Sequence, residues 1–98
     1  MFSLLKNIMR KLIDPFISKK HFKKRNKVCR ICGEDRYELL DTHRLKEQGP
    51  YSVSNCVCIC NSCHRKHHSN LIKIIEWCHS TKGTLLHYID EEGNEQFI

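Results

Sequence analysis

Two Cys-x2-Cys pairs constrain the fold of this chain more than any other feature. Cys29 and Cys32, followed by Gly33, form the first pair, and Cys60 and Cys63 form the second. Each pair can present two thiolates to one metal ion, and two pairs complete a closed tetrahedral zinc site. Gly33 suits the tight turn after the first pair, because glycine readily adopts a positive φ. The spacing therefore predicts a structural Zn²⁺ site.

Disulfide bonds are the alternative use of these cysteines. The chain holds seven cysteines, which is an odd number. Lys6, Arg10 and Lys11 interrupt the apolar stretch that a secretory signal requires, so an oxidising compartment is disfavoured. We therefore expect an intracellular protein, which is cytoplasmic or, if the N-terminal arm is a targeting peptide, organellar.

Three further cysteines, Cys56, Cys58 and Cys78, lie outside the two pairs. Cys58 is an alternative ligand to Cys60, because the two form a Cys-x-Cys pair. The alternation over residues 55–60 instead favours a half-buried strand, in which these cysteines act as small apolar side chains.

The length of 98 residues permits one small domain with an arm. The sequence contains no run of eighteen apolar residues, so a transmembrane segment is not expected. A chain this short buries little apolar surface, and a structural zinc ion adds on the order of 10 kcal/mol of apparent binding free energy to the folded state. The sequence therefore predicts a small α+β fold stabilised by zinc.

Positive charge is concentrated in an arm and linker, residues 1–28. This segment carries nine lysines and arginines against one aspartate, whereas the rest of the chain carries eight basic and ten acidic side chains. Such an arm is expected to meet a polyanion, either nucleic acid or an acidic membrane. Within it, residues 19–27 are too polar to fold alone, and we expect a linker, either solvated or lying along phosphates. Its candidate phosphate contacts are Lys19, Lys20, Lys23, Lys24, Arg25 and Lys27.

The beginning of the arm has a different pattern. Apolar side chains in residues 2–13 recur at helical spacing, which predicts an amphipathic helix that ends before Asp14 and Pro15. The apolar face of this helix needs a partner. A partner protein, the C-terminal hairpin of the same chain and a membrane surface are all open alternatives.

Histidines follow the second cysteine pair directly, and a short helix is expected over residues 62–69. On a helix, His64 and His68 share one face and can bind the same ion, and His67 is an alternative to the second of them. This spacing predicts a second metal site, distinct from the cysteine site. The isolated histidines are expected to be ordinary surface residues: His21, His79 and His87.

The order of these residues resembles the cysteine-bearing branch of the HNH (His-Asn-His) endonucleases. The matching positions span residues 29–68: Cys29-x2-Cys32-Gly33, Leu40-Asp41-Thr42-His43-Arg44, Asn55 and Cys60-x2-Cys63-His64-x3-His68. The resemblance is specific, because the paired cysteines and the catalytic positions match together. It implies a ββα-metal (His-Me finger) core in residues 29–70, in which two antiparallel strands and a helix hold one divalent ion.

The resemblance also implies metal-dependent cleavage of phosphodiester bonds in nucleic acid, with double-stranded DNA favoured. His43 would be the general base, and Asn55 would hold the catalytic loop or the base in orientation. His64 and His68 would bind a catalytic Mg²⁺, Mn²⁺ or Zn²⁺ ion. Further basic residues would hold the substrate close to the cut: Arg30, Arg44, Arg65 and Lys66.

Thr42 departs from the family pattern, which commonly has Asp or His before the base as a metal ligand. Threonine is a poor ligand, so Asp41 or a water molecule is expected to complete the shell. The departure keeps a second function open, namely a catalytically inert, zinc-stapled module that binds nucleic acid or acts as a scaffold.

Residues 71–98 lie outside the motif, and we expect them to form a β extension that packs on the same domain. Residues 84–89 have a strand-like composition, and turn-forming residues follow from Asp90 to Asn94. This pattern predicts a C-terminal β-hairpin.

Overall fold

The computed structural model describes residues 14–98 of the chain. Within them, the chain forms two helices and two antiparallel sheets, which confirms the predicted α+β class. The amphipathic helix predicted for residues 2–13 lies outside the described residues. In chain order the elements are α1 (Lys19–Asn26), a 3₁₀ turn (Tyr37–Leu39), β1 (Leu40–Arg44), a second 3₁₀ turn (Val53–Asn55), β2 (Cys56–Cys60), α2 (Asn61–His68), β3 (Lys73–Ser80), β4 (Gly83–Ile89) and β5 (Glu95–Phe97).

β1 and β2 pair antiparallel over their full length, with His43 opposite Val57. Because side chains alternate between the faces of a strand, Thr42 lies on one face of β1, and Asp41 and His43 lie on the other. α1 covers the first face, where the Thr42 hydroxyl donates a hydrogen bond to the Lys19 carbonyl at 2.9 Å. α2 also packs on both strands, and its histidines meet the second face.

β2 is buried along all five of its residues, whereas its alternating sequence predicts a half-buried strand. Both helices pack on the β1–β2 pair, so both faces of β2 are covered. Its outer edge is covered too, because the Arg30 N–H donates to the Cys58 carbonyl at 2.8 Å and the Trp77 indole N–H donates to the Cys56 carbonyl at 2.9 Å. In β2 the cysteines therefore lie on one buried face and the aliphatic side chains lie on the other, and neither face is exposed to solvent.

The basic stretch that was expected to be a linker forms α1 instead. The Ser18 hydroxyl caps this helix by accepting a hydrogen bond from the His21 N–H at 3.2 Å. Phe22 is only 4% exposed and packs in the core. An isolated helix of eight residues is marginal in water. Core packing of Phe22, together with the left-handed C-cap at Lys27, explains why so polar a segment is helical.

α2 begins directly after β2. The sequence favours Asn61 or Ser62 as its N-cap, but Cys60 takes that position, and its sulfur accepts a hydrogen bond from the Cys63 N–H at 3.4 Å. The helix therefore begins one residue earlier than expected. α1 and α2 have eight residues each, and within residues 14–98 no helix has the length and apolar character needed to cross a lipid bilayer.

The C-terminal part of the chain forms a three-stranded antiparallel sheet in the order β3-β4-β5. The predicted hairpin is confirmed as β4 and β5, and in its turn a carboxylate oxygen of Asp90 accepts from the Asn94 N–H at 2.9 Å. β3 adds a strand that the hairpin prediction did not include. The sheet packs on the domain through Leu86, which is fully buried, and the Arg30 guanidinium donates to the Ile98 carbonyl at 2.9 Å.

Candidate metal centres

The four paired cysteines meet where the loop after α1 approaches the junction of β2 and α2. The sulfur atoms of Cys29, Cys32, Cys60 and Cys63 all lie within 4.8 Å of one another, and those of Cys32 and Cys60 are 3.5 Å apart. A tetrahedral ion with Zn–S bonds of about 2.3 Å separates its sulfurs by about 3.8 Å. The four-cysteine cluster can therefore hold a zinc ion after small shifts of the side chains.

Backbone groups support the sulfurs of this cluster. The Cys32 N–H donates to the Cys29 sulfur, and the Cys63 N–H donates to the Cys60 sulfur, both at 3.4 Å. Gly33 has a φ of 80°, and its N–H closes the first turn on the Cys29 carbonyl at 2.9 Å. Burial opposes ionisation of Cys29, but hydrogen bonds from the backbone outweigh it, and the pKa of the thiol is lowered. A lowered thiol pKa favours the thiolate that a metal ion binds. Burial instead raises the pKa of the Cys32 and Cys63 thiols, so their ionisation depends on a bound cation.

All seven cysteines lie in the described residues, and all are free thiols, so the disulfide alternative does not describe this structure. Cys58 is not a member of the four-cysteine cluster, and Cys60 is. Burial raises the pKa of Cys58 to about 11, so this thiol stays protonated at neutral pH. Cys56 is buried as well, whereas Cys78 is half-buried on β3.

A second cluster brings together histidines of β1 and α2. One ring nitrogen of each of His43, His64 and His68 lies within 4.8 Å of the others. Nδ1 of His43 and Nε2 of His64 are 3.3 Å apart. This distance is close to the roughly 3.3 Å between two nitrogens bound to one tetrahedral zinc ion. His43 is only 5% exposed and His68 lies at the surface, so the histidine cluster has a buried inner wall and an open outer side.

His43 is held in its neutral form. Burial lowers the pKa of its ring, and the neighbouring imidazoles of His67, His64 and His68 lower it further, to about 4. At neutral pH the ring therefore has a lone pair on one nitrogen. This lone pair can accept a proton from water or bind a cation.

His67 has a different set of contacts from the three clustered histidines. Its Nδ1 accepts a hydrogen bond from the Ile74 N–H at 3.2 Å. A neutral imidazole that accepts through Nδ1 carries its proton on Nε2, so neither nitrogen has a lone pair free for an ion. His67 thereby joins α2 to the start of β3, and the geometry favours His68 over His67 as the second histidine of the site.

Asp41 contacts His64 rather than joining the three nitrogens directly. Its Oδ2 lies 3.3 Å from Nδ1 of His64, on the side of the ring away from His43. A carboxylate in this position fixes the tautomer and orientation of a metal-binding histidine. Thr42 faces the other side of β1, where its hydroxyl bonds the Lys19 carbonyl, so it takes no part in the histidine cluster.

Asn55 braces the loop between β1 and β2. Its Oδ1 accepts from the Lys46 N–H at 3.0 Å, and its Nδ2 donates to the Pro50 carbonyl at 2.9 Å and to the Lys46 carbonyl at 3.2 Å. The Asn55 carbonyl accepts from the Leu45 N–H at 2.8 Å. These bonds fix the loop that begins two residues after His43.

An open groove of about 460 Å³ lies beside the histidine cluster. We call it the basic groove; it is lined by Lys19, Lys20, Lys23, Tyr37, Asp41, Thr42 and His64. Lys19 and Lys23 are four residues apart on α1, so they lie on the same face of the helix. Part of the basic stretch is therefore brought next to His64.

The other candidate phosphate contacts do not line the basic groove. The Arg44 guanidinium donates to the Gly49 carbonyl at 3.1 Å, and the Lys66 ammonium pairs with Glu91 at 2.8 Å. Both side chains therefore have structural contacts of their own. The remaining candidates are exposed on other parts of the surface: Lys24, Arg25, Lys27, Arg30 and Arg65.

Two tyrosines contact basic side chains of α1. The Lys23 ammonium lies 4.4 Å from the centre of the Tyr37 ring, and the Lys19 ammonium lies 5.1 Å from that of Tyr51. Such cation–π contacts restrain long cationic side chains. Local sequence gives no signal for these pairs, because each joins two different elements of the fold.

Comparisons of the chain with protein-family models, curated proteins and solved structures found no match. The fold and the four-cysteine cluster define a small α+β protein that can hold a metal ion such as zinc. The histidine cluster and the basic groove are the features from which a function can be inferred.

Proposed function

We propose that this protein is a metal-dependent nuclease of the HNH type, which hydrolyses phosphodiester bonds in nucleic acid, with double-stranded DNA as the favoured substrate. The observation that carries the proposal is the convergence of His43, His64 and His68 beside a groove lined with lysines. A nucleic-acid backbone bound in this groove would run past the imidazoles. In this proposal β1, β2 and α2 are the strands and helix of a ββα-metal core.

His43 acts as the general base in the proposed reaction. Burial lowers the pKa of its ring to about 4, so the ring is neutral at pH 7 and can accept a proton from the attacking water, but as a weaker base than a histidine that titrates near 7. His64 and His68 would hold the divalent ion, with Asp41 orienting His64. A divalent ion bound there supplies stabilisation of the negative charge that develops on the phosphate and on the leaving oxygen.

The lysines of α1 bind the substrate backbone in this proposal. Lys19, Lys20 and Lys23 provide three positive charges in the groove next to His64. Contacts with phosphates contribute affinity and position but carry little sequence information. We therefore expect weak sequence preference from these residues.

The four-cysteine cluster would serve the site indirectly. Cys63 directly precedes His64 on α2, and Cys60 caps the same helix. A zinc ion held by these sulfurs fixes the start of the helix that carries the proposed ion-binding histidines. We propose that this ion is structural and that the four sulfurs fill its coordination shell. The histidine site, in contrast, would leave coordination positions open for substrate.

Plasmid nicking tests the proposal. Purified protein is incubated with supercoiled plasmid and Mg²⁺ or Mn²⁺, alongside His43→Ala and the matched control His79→Ala, which changes an exposed histidine outside the cluster. The parent and the control should nick equally, and His43→Ala should be slower by about 100-fold or more, as expected for loss of a general base. Equal nicking by His43→Ala would exclude the proposed base.

One observation favours a second candidate function, an inert zinc-stapled module that binds nucleic acid or acts as a scaffold. The spacing of 3.3 Å between His43 and His64 suits two ligands of one ion, in which case His43 has no lone pair left for catalysis. This candidate predicts no nicking with any divalent ion, while nucleic-acid binding persists. It also predicts that His43→Ala weakens ion binding, which calorimetry measures directly.

A further inference from the structure

The face of the β3-β4-β5 sheet that points away from the core carries a third group of metal-binding side chains. One ligand atom from each of Glu76, Cys78 and His87 lies within 4.8 Å of the other two. Glu76 and Cys78 are two residues apart on β3, so they share a face, and His87 is the cross-strand partner of Glu76 on β4. The strand register thus holds the three side chains together.

We propose that Glu76, Cys78 and His87 form a further binding site for a thiophilic divalent cation, with Zn²⁺ as the expected ion and Co²⁺ and Cd²⁺ as probes. A thiolate, an imidazole and a carboxylate are a ligand set that zinc accepts, and three protein ligands leave a fourth position for water. The site is separate from both the four-cysteine cluster and the histidine cluster, and it does not depend on the proposed nuclease activity.

A β-bulge creates the pairing on which this site depends. The register between β3 and β4 shifts between Ile74, which is opposite Tyr88, and Glu76, which is opposite His87. Without the extra residue, Ile75 would lie opposite His87, and the carboxylate would point to the other face. Bulges commonly redirect a side chain at functional positions. Here the bulge places a metal-binding carboxylate beside the imidazole.

The ring of His87 is already oriented by its neighbours. Its Nε2 lies 3.2 Å from a carboxylate oxygen of Glu95, and its ring stacks on Phe97 with 4.4 Å between the ring centres. A proton on Nε2 that donates to Glu95 leaves the lone pair on Nδ1 for a cation. Metal-binding histidines commonly have such a carboxylate partner, which raises their affinity for the ion. His87 is therefore more than the ordinary surface residue that the sequence suggests.

The site also gives a role to Cys78, which belongs neither to the four-cysteine cluster nor to the core formed by the described residues. Cys56 and Cys58 are buried in the core, whereas Cys78 is half-buried on the outer face of the sheet. An ordinary cross-strand pair of Glu76 and His87 would not need a thiol beside it. Cation binding would release the thiol proton of Cys78 and protect its sulfur from other electrophiles.

Alkylation of Cys78 tests the site in the whole 98-residue chain. Iodoacetamide labelling is followed by peptide mass spectrometry, with and without added Zn²⁺. Saturating zinc should largely abolish labelling of Cys78 in the parent and equally in the control His79→Ala, because a metal-bound sulfur is not free to attack iodoacetamide. The protection should disappear in His87→Ala and weaken in Glu76→Gln. His43→Ala should keep it, which separates this site from the nuclease proposal.

Two labelling outcomes would overturn the proposal. An unchanged labelling rate in the parent at saturating Zn²⁺ would mean that no ion binds at Cys78, and equal protection in His87→Ala would mean that a lone thiol binds it. Native mass spectrometry with Co²⁺ gives a second readout if His87→Ala folds poorly. The parent and His79→Ala should bind one more cobalt ion than Cys78→Ser, and equal ion counts would also exclude the site.

Discussion

Oδ2 of Asp41 lies 3.3 Å from Nδ1 of His64, and Nε2 of the same ring lies 3.3 Å from Nδ1 of His43. A chain of polar contacts thus runs from β1 to α2 and back to β1. When the Nδ1 proton of His64 is donated to Asp41, the Nε2 lone pair faces His43. Two imidazole nitrogens facing each other need a proton or a cation between them, and this tautomer of His64 leaves its Nε2 lone pair able to accept either.

Asp41→Asn should weaken binding of the divalent ion without unfolding the protein. The amide is nearly isosteric with the carboxylate but does not stabilise the Nδ1–H tautomer of His64 as a charge would, and loss of such partners typically costs about 10- to 100-fold in metal affinity. Isothermal titration with Mn²⁺ measures the change. Asp35→Asn is the matched control, since Asp35 is exposed and does not belong to the histidine cluster. Equal affinities for the two variants would contradict the role of Asp41.

Removal of the metal ion proposed for the four-cysteine cluster should unfold the domain. The cluster joins the loop at Cys29 to the start of α2, and structural zinc contributes on the order of 10 kcal/mol, comparable with the whole stability of a small domain. A strong chelator should therefore shift the emission of Trp77, the chain's single tryptophan, as its packing on the core is disrupted. Added Zn²⁺ should restore the signal.

Cysteine variants separate this metal effect from a general effect of the chelator. Cys63→Ser should be unfolded or strongly destabilised even in excess Zn²⁺, because it removes one of the four sulfurs. Cys78→Ser, which leaves all four sulfurs of the four-cysteine cluster in place, should stay folded and unfold cooperatively. A folded, chelator-resistant Cys63→Ser protein would show that the cluster does not hold a structural ion.

Neutralising two lysines of the basic groove should weaken nucleic-acid binding and reduce its salt dependence. The logarithm of the binding constant falls linearly with the logarithm of the salt concentration, with a slope of about −0.9 for each phosphate of the duplex that the protein neutralises. The double variant Lys20→Ala with Lys23→Ala should therefore show a shallower slope, by about 0.9 for each phosphate contact that it loses. Fluorescence anisotropy of a labelled duplex over a range of salt concentrations measures this slope. The matched double variant, Lys73→Ala with Lys82→Ala, removes the same charge from the C-terminal sheet and should leave the slope unchanged.

The elements that could be predicted from the sequence are those with local signals. The Cys-x2-Cys spacing, with Gly33 after the first pair, predicts the four sulfurs that the structure brings together. Turn residues between Asp90 and Asn94 predict the C-terminal hairpin. In each case the interacting groups are close in sequence or follow a fixed spacing, so the sequence pattern is sufficient to predict which groups lie together.

Features that depend on tertiary contacts could not be predicted in this way. α1 is helical because Phe22 is buried, although its composition indicates a linker. His67 is distinguished from His68 by its bond to Ile74, which lies beyond the helix. The grouping of His87 with Cys78 depends on a bulge that shifts the register between β3 and β4, and residue spacing in the sequence does not predict where such a bulge occurs.

Gly49 and Asn55 should be energetically coupled. A Cβ atom at position 49 would lie 2.6 Å from the Asn55 amide nitrogen, which bonds the Lys46 and Pro50 carbonyls. Gly49→Ala should therefore displace that amide and destabilise the loop by about 1–3 kcal/mol, and Asn55→Ala should remove this closest clash, which leaves the 3.2 Å approach to the Lys46 carbonyl. In the double variant the cost of Gly49→Ala should largely vanish, giving a coupling above about 0.5 kcal/mol in urea denaturation. Additive effects would show that Asn55 does not set the conformation of this loop.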